Sequence, residues 1–421
     1  MWFNALHRFK QFEAYNIVSE KLPKLCPRLV PSTLWGLSLA KIARMEPRIA
    51  FVMSGDYPAL VEKISAYWTS LDRSGVCEVC GEEGSEIDED WLYCVFTEKG
   101  EPVPGTSRMI RKSFRGIAYL KGLRLLCSKC HIAKHQGYAL THGKGSEALE
   151  WLQKVNRVNS VDRVKYLVNE ALSIHNGLSL IEKWSIQIGE LNGMDNETKN
   201  SVQELLNHMC SREFRLGEGW LHYSLPAEAE DDLTMRLEVQ ETDPLLHEVN
   251  KKVGKRLVNR YKVWVKCMAE IMENRLESEG VGFIEETFTT LAKLLINDFK
   301  KAPLFEDLFI RESEGKWIVY VPNFLYEKVF REALEMLEML GLAYRAEILC
   351  EKGKLDEEYL PILVYAPTSF APGYISSVAK VLKTVLNKFG LTGMMYYEPD
   401  IFRDRGIQPK GLVTFIYSYR Y

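Results

Sequence analysis

Four cysteines and two histidines carry the clearest chemical signal in the chain. Cys77 and Cys80 form one Cys-x-x-Cys pair, Cys127 and Cys130 form a second, and His131 and His135 follow directly. Each pair can place two thiolates on one ion. Two such pairs supply the four soft ligands that Zn²⁺ takes in a closed structural site. The spacing therefore predicts a structural zinc on Cys77, Cys80, Cys127 and Cys130. The remaining five cysteines are scattered and odd in number. That argues against a disulfide framework and for a reducing, cytoplasmic compartment.

Charge is split around these ligands. Residues 78–101 carry nine acidic side chains and one lysine, whereas residues 102–146 carry no acid. The second stretch holds Arg108, Arg111, Lys112, Arg115, Lys121, Arg124, Lys129, Lys134 and Lys144, with three histidines. The net charge of −3 conceals this asymmetry. A basic face attracts phosphate backbones through Coulomb forces and counterion release. Arg108, Arg111, Lys112, Arg115, Lys129 and Lys134 are the expected nucleic-acid contacts. The alternative is a solvated face balanced by the nearby acids.

Trp91 and Tyr93, Tyr119-Leu-Lys-Gly-Leu123, and Leu126-Cys-Ser-Lys-Cys-His-Ile-Ala-Lys-His-Gln-Gly137 together resemble the zinc-bearing branch of the HNH nuclease superfamily. Pro31-Ser-Thr-Leu-Trp35 resembles a segment upstream of that motif in some members. The resemblance covers about residues 28–158. It implies a ββα-metal, treble-clef-like unit in which zinc clasps a hairpin and a helix. It also implies phosphodiester cleavage, with a histidine at the end of the first strand as general base and Mg²⁺ or Mn²⁺ as a second metal. The chain departs from that pattern twice. Asp88 stands where the histidine is expected, and no asparagine precedes the second cysteine pair, where Gly122 lies. Asp88, His131 and His135 are the catalytic candidates, with Glu89 as an assistant.

Gly315-Lys-Trp-Ile-Val-Tyr-Val321, Pro361-Ile-Leu-Val-Tyr-Ala-Pro367, Tyr396-Tyr-Glu-Pro-Asp-Ile401 and Gly406-Ile407 resemble a second group, the phosphothreonine-lyase-like domains. That resemblance covers about 245–421. It implies the fold of the cap-binding translation initiation factor, a curved antiparallel sheet backed by helices. Ala346-Glu347-Ile348 stands where some members carry a lysine, a charge reversal that speaks against lyase chemistry here. Trp317, Tyr320, Tyr396, Tyr397 and Phe402 are available to stack on a base, but strand aromatics more often fill a sheet–helix interface. Phe415, Tyr417, Tyr419 and Tyr421 alternate on one strand face, and Arg403, Arg405 and Lys410 read as a charged loop. The local signatures of P-loop, zinc-protease and serine-hydrolase chemistry are missing.

The elements that must position these residues follow from periodicity. The pattern predicts helices over 6–22, 146–156, 161–214 (with stops at Gly177 and Asn192-Gly193), 245–276, 283–299, 324–340 and 374–389. It predicts strands over 316–321, 361–366 and 412–419. The acidic run 226–232 reads as a linker. Hydrophobic residues make up 46% of the 421, an ordinary globular composition with room for more than one core. The start is interrupted by charge, unlike a secretory signal, and no apolar run reaches the length of a membrane span.

The expected fold is α+β and multi-domain. It comprises a mixed segment at 1–72, the zinc module at 73–158, a helical connector with its linker at 159–232, and an α+β domain at 233–421. The leading function is nucleic-acid binding, RNA slightly ahead of DNA, by a degenerate HNH-like module. The second is a metal-dependent endonuclease using His131, Asp88 and His135. The third is a protein-interaction scaffold built on 78–101 and the helices at 161–214.

Overall fold

A computed structural model describes residues 11–13, 21–27, 30–53, 55–71, 73–97, 114–181, 183–211, 214–253, 261–299, 313–404 and 414–421. The fold is α+β, and the chain divides into two compact units. The first holds residues 1–47 and 56–216, and the second holds 48–55 and 217–421.

In the first unit, β1 (Gln11–Glu13) lies where a helix over 6–22 was expected. It pairs antiparallel with β2 (Glu86–Thr97), Gln11 opposite Phe96. Helices α1 (Leu39–Arg44) and α2 (Tyr57–Ser70) intervene. β2 and β3 (Phe114–Leu126) form a long antiparallel hairpin, Glu86 opposite Leu126, with a register shift at Asp90/Trp91. Then come α3 (Ser128–Lys134), α4 (Gln136–Thr141), α5 (Gly145–Asn156) and α6 (Val161–Leu178).

The stretch 161–214, expected as helical with stops at Gly177 and Asn192-Gly193, holds a strand between those two stops. Lys183–Ile188 is a strand, β4, which joins β3 in parallel with Arg115 opposite Lys183. Lys-Trp-Ser-Ile-Gln-Ile alternates polar and apolar, and Trp184, Ile186 and Ile188 are buried. Helix α7 (Asn196–Ser211) and β5 (Phe214–Leu216) complete the unit. Leu126, Ala133, Ala139, Ala148, Leu152, Val155, Val164 and Val168 pack with Cys77, Cys127 and Cys130 into one core. These cysteines are thus anchored on a hydrophobic wall made by α3, α5 and α6.

The second unit contains β6 (Trp220–Ser224), α8 (Ala227–Leu237), α9 (Asp243–Val253), α10 (Tyr261–Glu277), β7 (Gly282–Phe283) and α11 (Glu285–Phe299). Next come β8 (Gly315–Pro322), α12 (Tyr326–Met339), β9 (Arg345–Leu349), β10 (Tyr359–Ala366), α13 (Pro372–Lys388), β11 (Met394–Pro399), α14 (Asp400–Asp404) and β12 (Tyr417–Arg420).

Seven strands of the larger sheet lie in this unit, in the order β6-β9-β10-β8-β11-β12-β7. Among the described residues their pairings are antiparallel. The run expected as a linker, 226–232, instead opens α8. A leading proline and acids in the first turns suit a helix N-terminus. Trp317, Tyr397, Phe402 and Tyr417 are buried, so they build the core, while Tyr320 is 55% exposed. Tyr396 stacks on Phe415 with centroids 4.7 Å apart. Arg405 and Lys410 lie outside the described residues.

Candidate metal centre and the cleft beside it

The first cysteine pair sits on the turn that leads into β2, and the second sits at the start of α3. Cys77 N–H donates to Glu82 O at 2.6 Å, and Gly81 N–H donates to Cys77 O at 2.9 Å. Gly81 has φ of 78°, the left-handed conformation that lets the loop curl round its own sulfurs. On the other side, Cys127 occupies the N-cap of α3, and its sulfur accepts from Cys130 N–H at 3.5 Å.

The four Sγ atoms all lie within 4.8 Å of one another, and Cys80 Sγ is 3.5 Å from Cys127 Sγ. Tetrahedral Zn–S bonds of about 2.3 Å imply sulfurs about 3.8 Å apart, so the cage fits zinc. Trp151, on α5, donates its indole N–H to Cys130 Sγ at 3.1 Å. Lys129 and Lys154 sit 4.8 and 4.7 Å from the centroid of that indole. This second layer fixes a sulfur and moderates its charge.

The thiols are not alike. Burial opposes ionisation of Cys77, but backbone hydrogen bonds from Cys127, Cys80 and Val79 outweigh it and bring the group down to about 7. Burial pushes Cys130 well up despite the Trp151 donor, and raises Cys80 as well. A dication reverses that balance, because a thiol bound to Zn²⁺ ionises outright. The cysteine tetrad is therefore a possible zinc site by ligand type, spacing and burial.

Beside it lies a second cluster. His131 and His135 are four residues apart at the end of α3, which puts both rings on one side, with centroids 4.6 Å apart. Asp88, on β2, faces them. One ligand atom from each of Asp88, His131 and His135 lies within 4.8 Å of the others. His135 Nε2 is 3.9 Å from Asp88 Oδ1. The sequence placed all three as candidates, and the fold brings them together.

Lys134 changes the character of the cluster. It was expected on a basic outer face, yet it is buried, with Nζ bonded to Asp88 Oδ2 and 3.1 Å from Glu89 O. Arg124, opposite Asp88 on the hairpin, adds its Nε at 3.4 Å. An ammonium and a guanidinium thus flank the carboxylate that stands in the expected place of the base.

Glu89 does not assist Asp88. Strand alternation turns it to the other face of the hairpin. There its Oε1 accepts from Ser38 Oγ at 2.6 Å and Ala40 N–H at 3.1 Å, and its Oε2 accepts from Trp91 Nε1 at 2.8 Å. It satisfies the first turn of α1.

Asp88 and His131 line a polar cleft of about 310 Å³, together with Arg44, Arg73, Glu86 and Glu89. Arg44 ends α1 and Arg73 lies in the loop between α2 and the first cysteine pair, and no local motif marks them. Of the expected nucleic-acid contacts, Arg115 is exposed, and Lys129 is exposed with Glu82 at 3.2 Å. Arg108, Arg111 and Lys112 lie outside the described residues. Among the described residues no helix is long and apolar enough to cross a membrane. Neither the family models nor the curated proteins compared with the chain give a match, so the site stands on its own geometry.

Proposed function

We propose that the first unit binds nucleic acid through the cleft beside the cysteine cluster, and does so without cutting it. The observation that supports this reading is the pairing of Asp88 with Lys134 and Arg124. An ion-paired carboxylate is a weak base toward water at neutral pH, so the step that begins hydrolysis lacks its acceptor. Arg44, Arg73 and His131 on the cleft wall supply donors and charge for phosphate oxygens. RNA is placed ahead of DNA on the second unit's resemblance to the cap-binding fold.

The test is binding of zinc-loaded protein to labelled single-stranded RNA and DNA across a salt series. Binding should weaken with salt, with a slope of about −0.7 per phosphate neutralised on a single strand. An Arg44→Ala, Arg73→Ala double variant should lose affinity and reduce that slope. Salt-independent binding, or none, would remove the reading.

A second reading is favoured by the convergence of Asp88, His131 and His135. Two imidazoles and one carboxylate could hold a divalent cation that stabilises charge on a leaving oxygen. That donor set suits Mn²⁺ better than Mg²⁺, which prefers oxygen ligands. Nicking of plasmid or RNA that requires Mn²⁺ and is lost in His131→Ala would favour the endonuclease over the binder.

A further inference from the structure

A second cavity in the first unit, of about 540 Å³, lies past the C-terminal end of α3, where His135, Gln136, Gly137 and Tyr138 line it. Its size falls in the range of small-molecule pockets. It shares Ser38 with the polar cleft and includes His135 of the Asp88 cluster, so the two spaces adjoin. Its lining is mostly apolar, yet Trp35, Tyr138, His175 and Lys41 all contribute to it.

Trp35 is the unusual member. It is 61% exposed, although burying an indole is among the larger hydrophobic gains a fold can make. It is nevertheless held in place. Its Nε1 donates to Val30 O at 3.0 Å, and its ring stacks on His175 with centroids 5.9 Å apart and planes at 14°. Burial lowers the His175 pKa, which favours an uncharged ring beneath the indole. Lys41 Nζ donates to Trp35 O at 2.9 Å, which brings a cation to the same wall. Tyr138, 53% exposed, stacks on His142 with centroids 3.9 Å apart. Two exposed aromatic rings, each stacked on a histidine, therefore border one cavity that adjoins the polar cleft.

We propose that this cavity receives an unstacked base of a single-stranded nucleic acid while the adjoining cleft holds its backbone. The inference rests on the nucleic-acid reading above and narrows it to single strands. A paired base cannot offer its face to Trp35 without leaving the stack, whereas every unpaired base has a face to offer. Preference for base identity is weak, because stacking tolerates all four.

The experiment compares one labelled oligonucleotide as a single strand and as a duplex, by fluorescence anisotropy on zinc-loaded full-length protein. Wild type should prefer the single strand. Trp35→Ala should weaken single-strand binding by about tenfold and leave duplex binding unchanged. Trp35→Phe should recover most of the loss, since it keeps a ring without the indole N–H. Tyr138→Ala, at a separate exposed position, should also weaken the single strand selectively. If both alanine variants keep a wild-type circular dichroism spectrum and bind the single strand within about twofold of wild type, the base pocket is overturned and the cleft alone carries binding. If wild type binds neither probe, the nucleic-acid reading falls and the pocket with it.

Discussion

At the scale of single residues, two features of the metal centre can be tested without any ligand. Purified protein should contain one zinc per chain, and Cys130→Ser should bring it well below one by elemental analysis. Cys130 is fully buried in the core that α3 and α5 share, so loss of the ion should also loosen that core. The Asp88–Lys134 pair makes a separate prediction. Lys134→Met strips a buried carboxylate of its main partner and should cost about 3–5 kcal/mol in urea unfolding. Asp88→Asn combined with Lys134→Met removes the charge as well, and should recover about 2 kcal/mol or more of that loss. Additive effects of the two changes would show that the pair is not coupled. The cysteines were legible because metal-ligand spacing is local. The role of Lys134 was not, because lysine in a basic run reads as surface. Only Asp88, 46 residues away, reveals that it points inward.

At the scale of elements, the hairpin and the helix that follows the second cysteine pair could be foreseen, whereas β4 could not. Its six residues alternate plainly, but they lie between two strongly periodic helices, and a longer window absorbs them. What fixes β4 is a long-range fit with β3. Gly116 leaves room for the Trp184 ring: a Cβ there would lie 2.4 Å from Trp184 Cε3. Trp184 in turn meets Tyr93 of β2 edge-on at 5.8 Å. Gly116→Ala should therefore push the indole out of place and cost about 1–3 kcal/mol. Gly122, in the same strand, has only Glu190 O near its Cβ position, at 3.7 Å. Gly122→Ala should cost much less. Equal costs for the two, measured by thermal or urea unfolding, would sink this account of the β3–β4 pair.

At the scale of the whole molecule, the chain leaves its first unit twice. The short segment 48–55 belongs to the second unit, where Arg48 Nη1 bonds Asn323 O at 2.7 Å and Arg331 lies 4.5 Å from the Phe51 ring centroid. No composition shift marks that excursion, so a sequence read in contiguous blocks assigns it to the N-terminal part. The same limit hides the charged network that ties together the second unit. Arg345 bridges Glu314 at 3.0 Å and Glu230 at 2.7 Å, and Lys316 bonds Asp400 and lies 3.9 Å from Glu398. These residues come from α8, β8, β9, β11 and α14 and the residue just before β8, and they meet only when the sheet forms.

Within that network, burial pushes the Glu314 carboxyl up to about 7 against the pull of Arg345, while Asp400 and Glu230 add to burial. The native state then holds a proton that the unfolded chain, near 4.5, releases earlier. The stability this group contributes is full below that lower value and is lost as pH rises through about 7. Stability of the second unit should thus carry a negative contribution to its pH slope, of at most about 1.4 kcal/mol per pH unit. Glu314→Gln mimics the protonated form and should remove that contribution. Urea unfolding of wild type and variant at pH 5, 6 and 7 should give curves that diverge as pH rises, with the variant the more stable at the top of the range. Parallel curves would mean that Arg345 holds Glu314 ionised throughout, and that the ion pair rather than burial decides its charge.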